Sequence, residues 1–230
     1  MSAAGNGGII LTIPDAPVNL ANAPLITRSN QIGITWQAGA ANGGTPVIDY
    51  RINFDQGTDV FSIDVAGITA TSYTKTGLTA GMTYKFKVEA RNAFGYSDLS
   101  AAVTVLAAQE PATPSAPTTA VVGLYVRISW TAPSTNGSPI TQYQILIRQS
   151  DDLTFSESIA YCDGSIASIR DNSSCDVPIS SLIVSPFSLA WGSSVHASVR
   201  ATNIYGNSGI SPSGNGAIIL TNPDPPTNVV

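Results

Sequence analysis

The same sixteen-residue segment occurs near both ends of this 230-residue chain. Residues 5–20 read GNGGIILTIPDAPVNL and residues 214–229 read GNGAIILTNPDPPTNV, with eleven identical positions in a gapless alignment. The two copies begin 209 residues apart. That period is longer than the roughly 20–50 residues of solenoid repeats. It suits instead a pair of domains of about 100 residues each, repeating as a pair.

The composition favours an all-β chain. Charged residues make up only 11 %, and 20 Gly and 15 Pro are spread along the whole length. This is typical of short strands joined by many turns. The net charge is −5 without any basic cluster, so we expect no nucleic-acid partner, because such binding needs a basic surface. No run of eighteen apolar residues occurs, so we expect no transmembrane segment.

A weaker repeat lies inside the long period. Three blocks of the first half recur in the second: residues 32–38 in 126–132, 42–52 in 136–146, and 78–97 in 189–208. Each block alternates apolar and polar residues, as a strand with one buried face requires. The alternation is clearest from Tyr84 to Arg91, and it predicts that Tyr84 and Phe86 point into a core while Lys85 points outward.

These blocks resemble the fibronectin type III family over nearly the whole chain. The family's marks are a strand-B Trp, an Asn-Gly turn, and a strand-F run of Leu-x-x-Gly-x-x-Tyr-x-x-x-Val-x-Ala-x-Asn-x-x-Gly. The first half carries all of them, at Trp36, Asn42, Gly43, Leu78, Gly81, Tyr84, Val88, Ala90, Asn92 and Gly95. The second half carries Trp130, Asn136, Gly137, Leu189, Gly192, Val199, Ala201, Asn203 and Gly206.

The resemblance implies an all-β fold of two tandem seven-stranded antiparallel immunoglobulin-like β-sandwiches. A narrower resemblance, to the very long fibronectin-type-III arrays of ciliates, is carried by the runs at 162–165, 186–197, 201–206 and 214–220. The expected division of the chain is an orphan last strand of a preceding repeat at 1–13, a first domain at 14–107, a Pro-rich linker at 108–117, a second domain at 118–221, and the start of the next repeat at 222–230.

The second half departs from the family at one position. Val195 stands where the family has a corner tyrosine, whose hydroxyl would bond back to the backbone. We expect Trp191 or the cysteine pair to hold this corner instead. The residues expected to mark the two cores are Trp36, Tyr84, Trp130 and Trp191.

Cys162 and Cys175 are the only cysteines, and both lie in the second half. The distance from the strand-B Trp to the corner Gly is 45 residues in the first half and 62 in the second. The cysteines bracket part of this extra length, so we expect a structural disulfide. It would stabilise by roughly 3 kcal/mol in the chain-entropy model. Reduced thiols and a metal site are the alternatives, although a single His leaves too few ligands for zinc.

Two Asn-x-Ser triplets are candidate N-glycosylation sites. Asn172 lies in the extra segment bracketed by the cysteines, where a glycan would be accessible. Asn136 is a weaker candidate, because Pro139 follows its triplet directly.

Residues that could support catalysis are few. His196 is the only histidine, and we expect it on the outward face of its strand. Ser208 lies in a Gly-Asn-Ser-Gly run without a base to activate it. Asp151 and Asp152 form the only adjacent carboxylate pair, interpreted as a turn with Ca²⁺ binding as the alternative. We therefore expect no enzyme, no cofactor and no metal.

The sequence thus predicts a non-catalytic structural or adhesive spacer from a long extracellular or cell-surface array, whose partners are neighbouring repeats of the same chain. One alternative is a receptor ectodomain that binds through its loops, with Phe94, Tyr96 and Tyr205 as contact residues. Another is an accessory module of a carbohydrate-active enzyme. If the cysteines were reduced, an intracellular scaffold would become the better interpretation.

The long repeat carries one further expectation. Residues 7–13 match the end of the second domain, so they should be the last strand of a domain that precedes this one. Such a strand would be poorly packed, or taken up by the sheet edge of another copy.

Overall fold

The structure is a computed structural model, and it describes residues 10–220. The chain divides into two compact units, Met1–Gln109 and Glu110–Val230. Within residues 10–220 the paired strands are antiparallel, and helix is confined to two short segments of the second unit.

The first unit is a sandwich of a three-stranded and a four-stranded sheet. Its strands are β1 (Val18–Asn22), β2 (Gln31–Gln37), β3 (Asp49–Phe54), β4 (Ser62–Ile68), β5 (Ser72–Thr76), β6 (Thr83–Arg91) and β7 (Val103–Leu106). One sheet has the order β1-β2-β5 and the other β4-β3-β6-β7. This confirms the predicted seven-stranded sandwich.

The second unit has a similar plan, but two of its strands, the fourth and the last, have only two residues each. Its elements are β8 (Thr118–Val122), β9 (Tyr125–Ser129), β10 (Gln142–Arg148), β11 (Phe155–Ser156), α1 (Ala167–Asn172), β12 (Ser174–Pro178), α2 (Ile179–Leu182), β13 (Ala197–Asn203) and β14 (Gly206–Asn207). The sheets have the orders β12-β9-β8 and β11-β10-β13-β14.

Alternation along each strand builds the two cores. In β6 the side chains of Tyr84 and Phe86 are buried, as the sequence predicts, because successive residues of a strand face opposite sides of the sheet. The strand-B tryptophans also lie inside. Trp36 packs edge-on against Tyr50 at a ring-centroid distance of 5.4 Å. In the second unit Trp130 and Tyr143 form the same kind of pair at 5.1 Å, and such edge-to-face pairs stabilise beyond the area that they bury.

The segment at 108–117 is not the linker that its prolines suggest. Ala108 is only 1 % exposed at the end of the first unit. Pro111, Pro114 and Pro117 are all buried within the second. Proline has no backbone N–H, so these residues can be buried without leaving an amide unpaired. The boundary between the units falls between residues 109 and 110, and the prolines belong to the second sandwich.

The first sandwich begins two residues earlier than the sequence predicts. The Thr12 amide donates to the Gly43 carbonyl over 2.9 Å, and the Asn92 side-chain amide donates to the Thr12 carbonyl over 2.8 Å. Asp15 then pairs with Ala41, whose amide donates to the Asp15 carboxylate over 2.9 Å. Among residues 10–220, hydrogen bonds to the first unit's own loops therefore start at Thr12, inside the segment expected to be an orphan strand.

Candidate functional site

The residues considered for catalysis have structural partners. Ser208 is buried, and its hydroxyl accepts a hydrogen bond from the Ala201 amide (3.0 Å) and donates to the Gly209 carbonyl (2.8 Å). His196 is half-buried rather than fully solvated. Burial and the nearby positive charge of Arg148 lower the pKa of His196. The contacts of the Ser208 hydroxyl give this residue a structural role.

A pair of serines beside the sixth strand recurs in both units and was missed in the sequence. Ser97 and Ser100 accept the amides of Ala90 and Val88 through their hydroxyls, over 2.9 and 3.0 Å. Ser208 and Ser211 do the same for Ala201 and Val199, over 3.0 and 2.9 Å. The Ser-x-x-Ser spacing was visible in both halves. These hydroxyls accept the strand amides in place of a backbone carbonyl, at positions where the neighbouring backbone leaves the sheet.

The carboxylate pair forms the predicted turn between β10 and β11. The Asp151 carboxylate accepts the amides of Leu153 (3.0 Å) and Thr154 (2.8 Å). Bonds from the Thr154 hydroxyl and amide, and from the Leu153 amide, lower the pKa of Asp151. Asp152 forms an ion pair with Arg148 at 2.9 Å. Within residues 10–220 no group of three or more His, Cys, Asp or Glu side chains could hold a metal ion.

The cysteines form the disulfide that their positions predict. Cys162 and Cys175 are bonded, with Cα atoms 5.2 Å apart, and both are buried. The bond joins the extra segment of the second unit to β12. The same segment lies against β10, because the Tyr143 amide donates to the Gly164 carbonyl over 3.1 Å. A Cβ atom added at Gly164 would lie 2.1 Å from the Tyr143 carbonyl oxygen, so only glycine fits there.

The two units hold their corners differently. In the first, the Tyr84 hydroxyl accepts the Thr79 amide over 3.0 Å. In the second, Val195 is fully buried and Trp191 is 50 % exposed. The expectation that Trp191 marks the core was therefore wrong. Helix α2 contributes a fully buried side chain, Leu182, whose carbonyl accepts the Leu189 amide (3.0 Å) shortly before this corner.

Trp191 lines a shallow apolar groove on the surface of the second unit. Its other lining residues are Leu124, Tyr125, Pro178, Ile179, Ser180 and Ile183. Tyr125 is 46 % exposed. Two partly exposed aromatic rings thus lie along one groove, and the sequence feature that could have indicated it is the apolar content of residues 179–191.

The expected aromatic contact loops are only partly available. Phe94 is 63 % exposed. Tyr96, however, lies beneath the Arg51 guanidinium, whose central carbon is 3.8 Å from the ring centroid. Tyr205 is exposed in the corresponding turn of the second unit. The cation–π contact occupies the face of Tyr96, so the first unit offers a single free ring at this turn.

A charged network covers the outer face of β3 and β6. Arg51 donates two hydrogen bonds to the Glu89 carboxylate, each 2.7 Å long, and Asn53 donates a third of 2.7 Å. Burial raises the pKa of Glu89, but these bonds and the Arg51 charge outweigh it and leave the pKa below its usual value. These hydrogen bonds join β3 to β6, so the network stabilises the sheet and is not an exposed binding surface.

The two candidate glycosylation sites differ in access. Asn172 is exposed at the end of α1, and its side-chain amide donates to the Ser168 carbonyl over 2.8 Å. The Asn136 side-chain amide donates to the Glu110 carbonyl over 2.8 Å, and Ser138 of its triplet is 2 % exposed. An accessible acceptor loop is thus offered at Asn172 and not at Asn136.

Residues 214–220, here called the closing segment, complete the second sandwich. Gly214 and Ala197 exchange both backbone hydrogen bonds, over 2.9 and 2.8 Å. The Val195 amide donates to the Ala217 carbonyl over 2.9 Å. The segment therefore lies beside β13 and the residues before it, as β7 lies beside β6 in the first unit.

The two sandwiches described above define a tandem β-sandwich protein. The model of the fibronectin type III domain family matches residues 15–106. The first unit therefore matches the fibronectin type III family over most of its length, and the second unit has a similar order of strands in its two sheets. No helix within residues 10–220 is long and apolar enough to cross a membrane.

Several characterised proteins share sequence with the chain. It is 34 % identical over 143 residues to chitinase A1 of Niallia circulans, covering 58 % of this chain and 19 % of that protein. It is 30 % identical over 92 residues to smooth-muscle myosin light chain kinase of Gallus gallus, covering 39 % and 5 %. It is 27 % identical over 146 residues to protein sidekick-2 of Mus musculus, covering 60 % and 7 %. The chain thus spans less than a fifth of each relative.

A solved structure of the FN1–FN3 domains of chicken CNTN1 aligns with 90 % of this chain and 67 % of its own length, at 15 % identity and a TM-score of 0.41.

Proposed function

We propose that this chain is a non-catalytic structural or adhesive spacer from a long extracellular or cell-surface array of paired sandwiches. The observation that carries the proposal is that the two halves of the repeated segment contact different sandwiches. The closing segment completes the second sandwich, whereas Thr12 and Asp15, in the other copy, bind loops of the first. The first half of the segment thus closes a sandwich in one copy, and the second half opens a sandwich in the other copy.

Such a segment is what a chain of consecutive sandwiches requires. Each unit has its own buried core, so each can resist unfolding independently. The neighbouring repeats of the same chain are the partners that this arrangement implies. The function would then be to extend the array, to set the spacing along it and to make weak multivalent contacts, and not to catalyse a reaction.

The disulfide supports an extracellular location. Cys162 and Cys175 are buried and bonded within the second unit. Stable structural disulfides are common in oxidising compartments and rare in the cytosol. The other residues of the chain include no further cysteine that could exchange with this pair.

Intact mass spectrometry with an alkylating reagent tests the location. The natural protein is isolated from its source under conditions that block thiol exchange. We expect neither cysteine to alkylate in folded protein, and both to alkylate after reduction and unfolding. Free alkylation of both cysteines in folded protein would argue against the extracellular array and for an intracellular scaffold.

A second candidate function is that of an accessory module of a carbohydrate-active enzyme. Trp191 and Tyr125 present two partly exposed rings along one apolar groove, and flat aromatic rings can stack on the apolar faces of sugars. The similarity to chitinase A1 is consistent with such a role. Pull-down with insoluble chitin tests it. We expect Trp191→Ala to abolish retention and Tyr205→Ala, in a separate turn, to retain it, and absence of retention in the unaltered chain would remove this candidate.

A further inference from the structure

The groove that holds the closing segment imposes strict demands at two positions. A Cβ atom built at Gly214 would lie 1.6 Å from the Pro117 carbonyl oxygen. One built at Gly216 would lie 2.4 Å from the Thr119 carbonyl oxygen. Gly216 also has a φ of 143°, which residues with a side chain rarely adopt. The groove therefore accepts only glycine at both positions.

Two further positions of the closing segment are buried. Ala217 is 1 % exposed and Ile219 is fully buried. The Ala217 amide donates to the Thr119 hydroxyl over 2.8 Å, and this hydroxyl donates to the Val195 carbonyl over 2.9 Å. Space around Ala217 is therefore restricted, and Ile219 supplies the apolar anchor. The groove selects a Gly-x-Gly-small-x-Ile pattern.

Residues 5–11 satisfy this pattern at every position. Gly5 and Gly7 stand at the two glycine positions, Gly8 at the small one and Ile10 at the anchor. Across residues 5–12 the sequence differs from residues 214–221 at one position, where Gly8 replaces Ala217. That change removes a methyl group and introduces no clash.

In the amino-terminal copy, the residue at the anchor position is exposed. Ile10 is 88 % exposed, whereas its counterpart Ile219 has no exposed surface. Among the described residues of the amino-terminal copy, the first hydrogen bond to its own unit is made at Thr12, after the stretch that matches the groove. Residues 5–9 lie outside the described residues.

The groove of the first unit does not suit residues 5–11. There Val103 pairs with Phe86, at the place where Gly214 pairs with Ala197 in the second unit. A glycine in place of Val103 would leave a gap beside the core of the first unit. The partner that fits is therefore a sandwich of the second unit's type.

We propose that residues 5–11 are a closing strand for a second-unit sandwich, so that one copy of this chain can bind another by donating this strand once the acceptor's own closing segment has left the groove. In an array the same strand would complete the sandwich of the preceding repeat, and to that extent the inference rests on the proposed function. Backbone pairing supplies the affinity and the glycines supply the specificity, as in other strand-addition complexes.

Four full-length chains test the proposal: the unaltered chain, Gly214→Val, Gly5→Val and the double variant. Valine at 214 expels the chain's own closing segment through its clash with the Pro117 carbonyl, which leaves residues 5–11 as the remaining match. Valine at 5 disables that match and serves as the control. Hydrogen exchange at the Val195 and Ala197 amides reports the groove, because both amides donate to the closing segment. Light scattering reports association of copies.

In Gly214→Val we expect these two amides to stay protected to within roughly tenfold of the unaltered chain and dimers or longer chains to form, whereas the double variant should lose protection by roughly 100-fold or more. Gly5→Val alone should behave like the unaltered chain. If Gly214→Val and the double variant behave alike, whether both fold or both unfold, the proposal is overturned. The alkylation test of the spacer function does not depend on this result, so the two failures are distinguishable.

Discussion

Ile10 and Ile219 occupy the same position in the two copies of the repeated segment, and their environments are opposite. Ile219 is fully buried in the second sandwich, and its amide donates to the Ser193 carbonyl over 3.0 Å. Ile10 has 88 % of its surface exposed. The same residue in the same local sequence is thus a core residue at one end and a surface residue at the other.

This difference predicts unequal costs for the same substitution. Ile219→Ala should lower the free energy of unfolding of the second unit by about 2–5 kcal/mol, because it leaves a cavity in a packed core. Ile10→Ala should change stability by less than about 0.5 kcal/mol, as exposed sites usually do. Equilibrium denaturation of the two variants measures both values, and equal effects would show that Ile10 is packed in solution.

The corner of the first unit depends on one hydroxyl. Tyr84→Phe removes the acceptor of the Thr79 amide and should lower the free energy of unfolding of the first unit by about 0.5–1.5 kcal/mol. Tyr125→Phe, in an exposed position of the second unit, is the matched control and should have no effect. A neutral result for Tyr84→Phe would mean that packing of the ring alone holds the corner.

Ser208 is expected to act through structure. Ser208→Ala leaves the buried Ala201 amide without its side-chain acceptor and should destabilise the second unit by about 1–3 kcal/mol. Ser97→Ala should cost the first unit a similar amount, since Ser97 accepts the Ala90 amide in the same way. Exposed Ser115→Ala is the control. Thermal unfolding followed by circular dichroism measures all three, and stability unchanged in the first two would contradict this role.

Glu89 predicts a pH dependence of the first unit. Its pKa in the folded state lies below its usual value of 4.5, because bonds from Arg51 and Asn53 outweigh the effect of burial. A lowered folded-state pKa contributes stability that is present above the unfolded-state pKa and is lost as the pH falls through the folded-state pKa. Stability should therefore decline below about pH 4.5.

The Glu89→Gln variant isolates this effect. It should reduce the stability of the first unit at pH 7 and flatten its decline in acid, measured by denaturation at a series of pH values. Exposed Glu157→Gln in the second unit is the control and should leave the profile of the first unit unchanged. An acid profile of Glu89→Gln that parallels the unaltered chain would rule out Glu89 as its source.

Much of the fold follows from the sequence because strand alternation and turn residues carry it. The alternation of β6, the strand-B tryptophans and the bonded cysteines are all where the sequence predicts. Trp191 was misplaced, because a large apolar residue beside a corner glycine suggests a core. The sequence did not predict α2, whose Leu182 side chain is fully buried.

Two other features were hidden for different physical reasons. Proline-rich runs usually form extended linkers, but the prolines of 108–117 are buried in the second unit. The serines beside the sixth strands look like loop residues, because a hydroxyl that replaces strand pairing has no periodic signature. Only the recurrence of Ser-x-x-Ser in both halves could have indicated their role.

Mechanical stretching of several copies joined in tandem, with and without reductant, tests the spacer function most directly. We predict two resistant unfolding events per copy, one for each sandwich. The disulfide spans 13 residues, so reduction should lengthen the extension released by the second unit by about 45 Å at roughly 3.5 Å per residue. Extension without resistance, or a length that reduction does not change, would contradict a chain of independently stable, disulfide-bonded spacers.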